Sequence, residues 1–98
     1  MVTTVVNKYK DEFDVYIGRG SKWGNPFRIG HDGDREAVIT KYTEYLRKSD
    51  LHLHIHELYD KKLGCFCKPL PCHGDVLAMT ANIRQRQDLG NIGPDIWF

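Results

Sequence analysis

The chain opens on a β-branched run, Val2-Thr3-Thr4-Val5-Val6, which reads as a strand that can continue to Tyr9. The polar triplet Lys10-Asp11-Glu12 interrupts it. Asp14-Val15-Tyr16-Ile17-Gly18 then predicts a second strand, with a hairpin as the simplest connection between the two. Residues 19–33, "RGSKWGNPFRIGHDG", are too rich in Gly, Asn and Pro for regular structure, yet they carry Trp23 and Phe27. That combination predicts an ordered loop folded onto the domain. Helical spacing begins at Asp34, a natural N-cap, and runs from Arg35 to about Lys48, with Val38, Tyr42 and Tyr45 on one stripe and Ile39 and Leu46 beside it. The segment from Leu51 to Tyr59 alternates like a strand but also places Leu51, Ile55 and Leu58 on a helical stripe. Its polar continuation through Glu57, Asp60 and two lysines favours a short helix. Leu63 to Cys67 predicts a short buried strand. Gly74 or Asp75 starts a third helix, Val76 to about Gln87, which Gly90 ends.

The resulting order is β-β-α-α-β-α. If the second and third strands are parallel neighbours, the helices between them form a crossover, and the expected fold is a small α/β, Rossmann-like sandwich of two or three layers. The loop after Gly18 and the loop from Lys68 to Gly74 then both leave carboxyl ends of strands, the edge at which open α/β sheets bind ligands.

Length and composition restrict this picture without adding a partner. A chain of 98 residues is expected to be a single domain, 1–98, with its motifs in about 2–83. The formal charge of +1 gives no global pull toward nucleic acid or membrane. No basic segment followed by a long apolar run opens the chain, and no stretch approaches bilayer length, so a cytoplasmic protein without membrane association is expected. Three cysteines, two of them only two positions apart, argue for reduced thiols rather than a disulfide framework. Ile96-Trp97-Phe98 ends the tail, 91–98, with enough apolar surface to predict packing on the domain or on a partner, a second copy included.

Two stretches carry candidate chemistry. In "GCFCKPLPCHGD", Cys65 and Cys67 share one face of a strand, and a proline-bent loop can return Cys72 and His73 toward them, a set able to hold zinc. The competing reading makes Cys65 and Cys67 small buried strand residues. Cys72 also precedes a helix, where the dipole lowers a thiol pKa and makes a nucleophile, with His73 a weak candidate for its base. Gly74 at the same helix start suits close approach of a phosphate, and Asp75 is either an N-cap or a group that orients a ligand. In "GRGSKWGNPF", Arg19, Ser21 and Lys22 resemble a phosphate cradle without Walker or dinucleotide spacing. Trp23 can stack on a base and Asn25 can read its edge, or the stretch is an Ω-type loop pinned by its own aromatics. His52, His54 and His56 are read as surface histidines rather than metal ligands.

The pair of motifs resembles the domain-of-unknown-function family 4326, small proteins of bacteria and bacteriophages. The resemblance covers about residues 2–83. It rests on Arg19 and Ser21 with Trp23-Gly24-Asn25-Pro26-Phe27, and on Cys65, Cys67, Pro71, Cys72, His73, Gly74 and Asp75. It implies a shared site and a phage or bacterial cytoplasmic setting, and brings no reaction with it. The leading expectation is a domain that binds a nucleotide or another phosphorylated ligand, with Arg19, Ser21 and Lys22 on phosphate, Trp23 and Asn25 on base or sugar, and Cys72, His73 and Asp75 as reactive or orienting groups. If catalytic, its class is hydrolysis or transfer at a nucleotide or glycosidic bond. The alternative is a non-catalytic phage-type module with a structural metal on Cys65, Cys67, Cys72 and His73, binding a host protein or nucleic acid.

Overall fold

The computed structural model describes residues 2–67 and 70–88. Strand β1 is Thr4–Asn7, β2 is Val15–Tyr16, helix α1 is Arg35–Lys48, a 3-10 helix spans Asp50–Leu58, β3 is Lys62–Cys65, and α2 is His73–Asp88. The tail expected to pack on the domain or a second copy lies outside the described residues.

All three strands are parallel, in the order β1-β3-β2. The expected hairpin is therefore replaced by an insertion: β3 lies between the first two strands, with Val5 and Val15 both level with Leu63. Residues 8–14 cross from one edge of the sheet to the other. Lys8 N–H donates to the Cys65 carbonyl (2.9 Å) at one end of β3, and Asp14 N–H donates to the Lys62 carbonyl (2.8 Å) at the other. Gly64 makes the crossing feasible, because a β-carbon there would stand 2.6 Å from the Phe13 ring that lies over it. Lys10-Asp11-Glu12 contains no Asn-Gly or Asp-Gly pair of the kind that closes a tight hairpin, so nothing local opposes the wider path.

Leu63 and Cys65 point to the other face, into the core with Ile17, Tyr42, Leu46, Ile55, Leu58 and Leu77. Helix α2 packs against β1 and β3, and α1 and the 3-10 helix pack on α2. The described chain is thus a small α/β domain with a three-stranded parallel sheet and three helices. Asp34 caps α1 as expected, its Oδ1 accepting from Ala37 N–H at 2.8 Å, and Val38, Tyr42 and Leu46 form the buried stripe. The 51–59 segment is helical, but of the tighter kind: Ile55 and Leu58, three apart, are its buried residues, the period of a 3-10 helix. Asn82 ties α2 to β1 by accepting from Thr3 N–H (2.7 Å) and donating to its carbonyl (3.1 Å).

Candidate ligand-binding site

Two loops leave the carboxyl ends of β2 and β3 and face one cavity of about 640 Å³. The first contributes Gly18, Arg19, Asn25, Phe27, Arg28 and Ile29. The second contributes Cys67, Pro71, Cys72 and His73, and the strand ends add Tyr16, Cys65 and Phe66. Arg35, Val38 and Ile39 of α1 close the remaining side.

The first loop is built by short-range bonds. Ser21 N–H donates to the Gly18 carbonyl (3.1 Å), as does Ser21 Oγ (2.6 Å), and Gly24 N–H donates to Ser21 O (3.1 Å). These turns bring Gly24 so close to the Gly18 carbonyl that a β-carbon would lie 2.8 Å from that oxygen. Trp23 is thereby driven into the core, where it is 3% exposed. The expected stacking role is corrected on this point, since a ring enclosed by the core has no face for a ligand. Asn25 lines the cavity but uses both ends of its amide to fix the loop: Oδ1 accepts from Phe27 N–H (2.9 Å) and Nδ2 donates to Val38 O (3.3 Å). Ser21 and Lys22 lie outside the lining residues. Ser21 spends its hydroxyl within the turn, and the Lys22 ammonium pairs with both Glu57 carboxylate oxygens at 2.9 Å, which pulls the Glu57 pKa below its ordinary range.

Arg19 remains from the expected cradle, and two residues that sequence reasoning passed over join it. Arg28 projects from the same loop, and Arg35, read only as the first helical residue, reaches across to donate from Nη1 to Pro71 O at 3.0 Å. No aspartate or glutamate lines the cavity, and neither Arg19 nor Arg28 pairs with a carboxylate among the described residues. Asp32, nearest in sequence, turns its Oδ2 back onto Arg28 N–H at 2.8 Å. The available signal for these arginines was that both flank the strand edge where the ligand is expected.

The second loop answers the question of the cysteines. Cys72 turns inward, its Sγ 3.3 Å from that of Cys65, and both are buried. Burial, then the neighbouring Cys65 thiol, push the Cys72 pKa up to about 12, outweighing the Gly74 N–H that favours the thiolate. The expected helix-start activation is therefore reversed: near neutral pH Cys72 is a thiol at the cavity floor. His73 is held elsewhere. Its Nε2 lies 2.7 Å from the Ile17 carbonyl, which only accepts, so Nε2 carries the hydrogen and braces the start of α2 against the end of β2. Only Cys65 and Cys72 of the expected metal set come together, and the described residues contain no group of three or more His, Cys, Asp or Glu able to hold a metal. Asp75 does cap the helix, but from its third position, accepting from Cys72 N–H at 3.1 Å as one half of a capping box. Gly74 serves packing: a β-carbon would meet Ile17 Cδ1 at 2.7 Å and Val5 Cγ1 at 3.1 Å.

Burial holds the His73 pKa below its ordinary value, against the opposing pull of the Ile17 carbonyl and Asp75. Between the folded and unfolded values the unfolded chain binds more protons, so stability rises with pH there. Denaturation midpoints should therefore hold steady between about pH 7 and 8 and fall as the pH drops below about 6.5, the unfolded imidazole value. The window down to about pH 5 lies above the ordinary carboxylate range, which separates this loss from the carboxylates of Asp32 and Glu57. His73→Gln should flatten that slope; an unchanged slope would remove His73 as its origin.

The sequence profile described as Domain of unknown function (DUF4326) matches residues 3–83. The chain belongs to this family. It is 45% identical over 84 residues to an uncharacterized 12.4 kDa protein of Enterobacteria phage T4, encoded in the nrdA-td intergenic region, an alignment covering 80% of this chain and 76% of that protein. It is 39% identical over 93 residues to an uncharacterized protein of Acanthamoeba polyphaga mimivirus, covering 76% of this chain and 72% of the relative. No solved structure matches the chain. Among the described residues, no helix of this family member is long and apolar enough to cross a membrane.

Proposed function

We propose that this protein is a reduced Rossmann-like domain that binds a nucleotide, or a closely related phosphorylated ligand, in the cavity at the carboxyl edge of its sheet, in the cytoplasm of an infected or bacterial cell. The carrying observation is the three arginines, Arg19, Arg28 and Arg35, around a cavity that no carboxylate among the described residues lines. Guanidinium forks recognise phosphate in two-point fashion, and three of them without a neutralising neighbour favour an anion of more than one charge. Phe27 and Tyr16, both half-buried on the walls, offer flat surfaces to a base in place of Trp23. The reading is supported by the parallel β2-α1-β3 crossover, since the cavity lies at the carboxyl edge at which α/β sheets take ligands, although the insertion of β3 between β1 and β2 departs from the simplest Rossmann arrangement.

Binding is the first duty of such a site. A protonated Cys72 and an imidazole whose Nε2 is bonded to Ile17 hold the floor in place, so a hydrolase or transferase reaction here would draw on the ligand's own groups and the arginines. Calorimetric titration with a panel of nucleoside mono-, di- and triphosphates tests the reading. Arg28→Ala and Arg19→Ala, both at exposed positions, should each weaken the best ligand by about tenfold or more, the usual loss for a charge-assisted hydrogen bond, with no change in melting temperature. Ligands that bind equally well to both variants, or a panel without a binder, would overturn it.

A further inference from the structure

The face of the sheet turned away from the helices carries an aromatic cluster beside the cavity mouth. Lys8 holds its ammonium 5.2, 4.6 and 4.5 Å from the ring centroids of Tyr9, Tyr16 and Phe66. Tyr9 and Phe66 stand 5.5 Å apart at a tilt, and Tyr16 meets Phe66 edge-on at 6.3 Å. Tyr9 is nevertheless 75% exposed and Phe66 47%. The cation thus orients rings whose outer surfaces remain in water. Tyr16 and Phe66 also line the cavity, so the cluster and the arginine pocket form one continuous surface.

Exposed flat rings alternating with cations suit single-stranded nucleic acid, in which bases take the rings and phosphates take the charges. A protein partner fits less well, because the centre of a stable protein interface is depleted of charge, whereas here an ammonium occupies the middle of the patch. From this continuity we infer that the nucleotide bound in the cavity belongs to a single strand of nucleic acid. One nucleotide occupies the pocket while its neighbour stacks on Tyr9 and Phe66, with the intervening phosphate between Lys8 and Arg19. The inference rests on the nucleotide reading of the cavity and adds the polymer.

The test measures fluorescence anisotropy of a labelled short oligothymidylate, with thymidine monophosphate as unlabelled competitor. The oligonucleotide should bind about tenfold or more tightly than the mononucleotide, as one base-aromatic stack allows, and should weaken steeply with added salt. Tyr9→Ala should remove that advantage and leave mononucleotide affinity within about twofold, and Lys8→Ala should also reduce the advantage; circular dichroism verifies that each variant is folded. Equal affinity for strand and mononucleotide, or a strand advantage that survives both substitutions, overturns this inference and leaves the cavity reading standing. Failure of both probes to bind overturns this inference, and the nucleotide panel then decides the cavity reading by itself. Strand binding that Tyr9→Ala abolishes but Arg28→Ala leaves untouched would place the strand on the rings alone and overturn its entry into the cavity.

Discussion

Tyr42→Ala is expected to lower the unfolding free energy by about 3–5 kcal/mol, the range for deleting a large buried ring. Tyr42 is fully buried on α1 and reaches three neighbours at once. Its hydroxyl donates to the Trp23 carbonyl at 2.8 Å, its ring meets the His73 ring edge-on at 4.9 Å, and the Tyr45 ring is 5.7 Å away. It therefore joins helix α1 to both cavity loops. Small domains are typically stable by only about 5–15 kcal/mol, so the variant should approach the unfolding threshold and show a much lower urea midpoint.

Tyr42→Phe separates the two parts of this effect. It keeps the ring and removes only the hydrogen bond to Trp23 O, a carbonyl that His73 also approaches, which costs about 1 kcal/mol. The loop that follows Trp23 carries Asn25, Phe27 and Arg28 to the cavity, so this milder variant should also weaken ligand binding while the fold survives. If Tyr42→Ala shifts the midpoint by less than Tyr42→Phe does, the ring is not the centre of the core and this account of the loop anchorage is wrong.

How much of this was legible in the sequence depended on how local each cause is. The N-cap at Asp34 and the stripe of Val38, Tyr42 and Leu46 were legible because both depend on residues within a few positions of each other. Strand order was not. Val5 and Val15 fit a hairpin as well as two strands flanking β3, and the contact between Phe13 and Gly64 that accompanies the crossing is one that no local pattern announces. The two loops were correctly expected at one sheet edge, but their side chains were sorted by packing. Trp23 went to the core and Asn25, though it lines the cavity, spends its amide on the loop, while Arg28 and Arg35, unremarkable in local sequence, went to the cavity. Cys72 shows the same limit in electrostatic terms. Its place before a helix was legible and predicts a lowered pKa, whereas desolvation and the Cys65 thiol come from the fold and prevail.

That reversal predicts a loss of stability in alkali. The Cys72 thiol ionises near 9.0 in the unfolded chain and near 12 in the folded protein, so between those values the unfolded state releases a proton that the native state retains. An acid whose folded pKa is raised contributes stability below its unfolded value and loses it as the pH rises. The loss should begin above about pH 9 and reach on the order of 1 kcal/mol by about pH 10, a tenfold factor for each pH unit above the unfolded value. Burial raises the Tyr42 pKa as well, above its ordinary 10.0, and the phenol adds to the loss only at the upper end of this range. Urea midpoints at successive pH values from 8 to 10 therefore isolate the thiol, and Cys72→Ala should flatten the decline there. Thiolate absorbance in the ultraviolet gives a second readout, because in the folded protein the Cys72 signal should appear only with unfolding. A decline of equal slope in Cys72→Ala, or a thiolate band from Cys72 in the folded protein near neutral pH, would return this residue to the role of an exposed, activated nucleophile and would reopen covalent chemistry at the cavity floor.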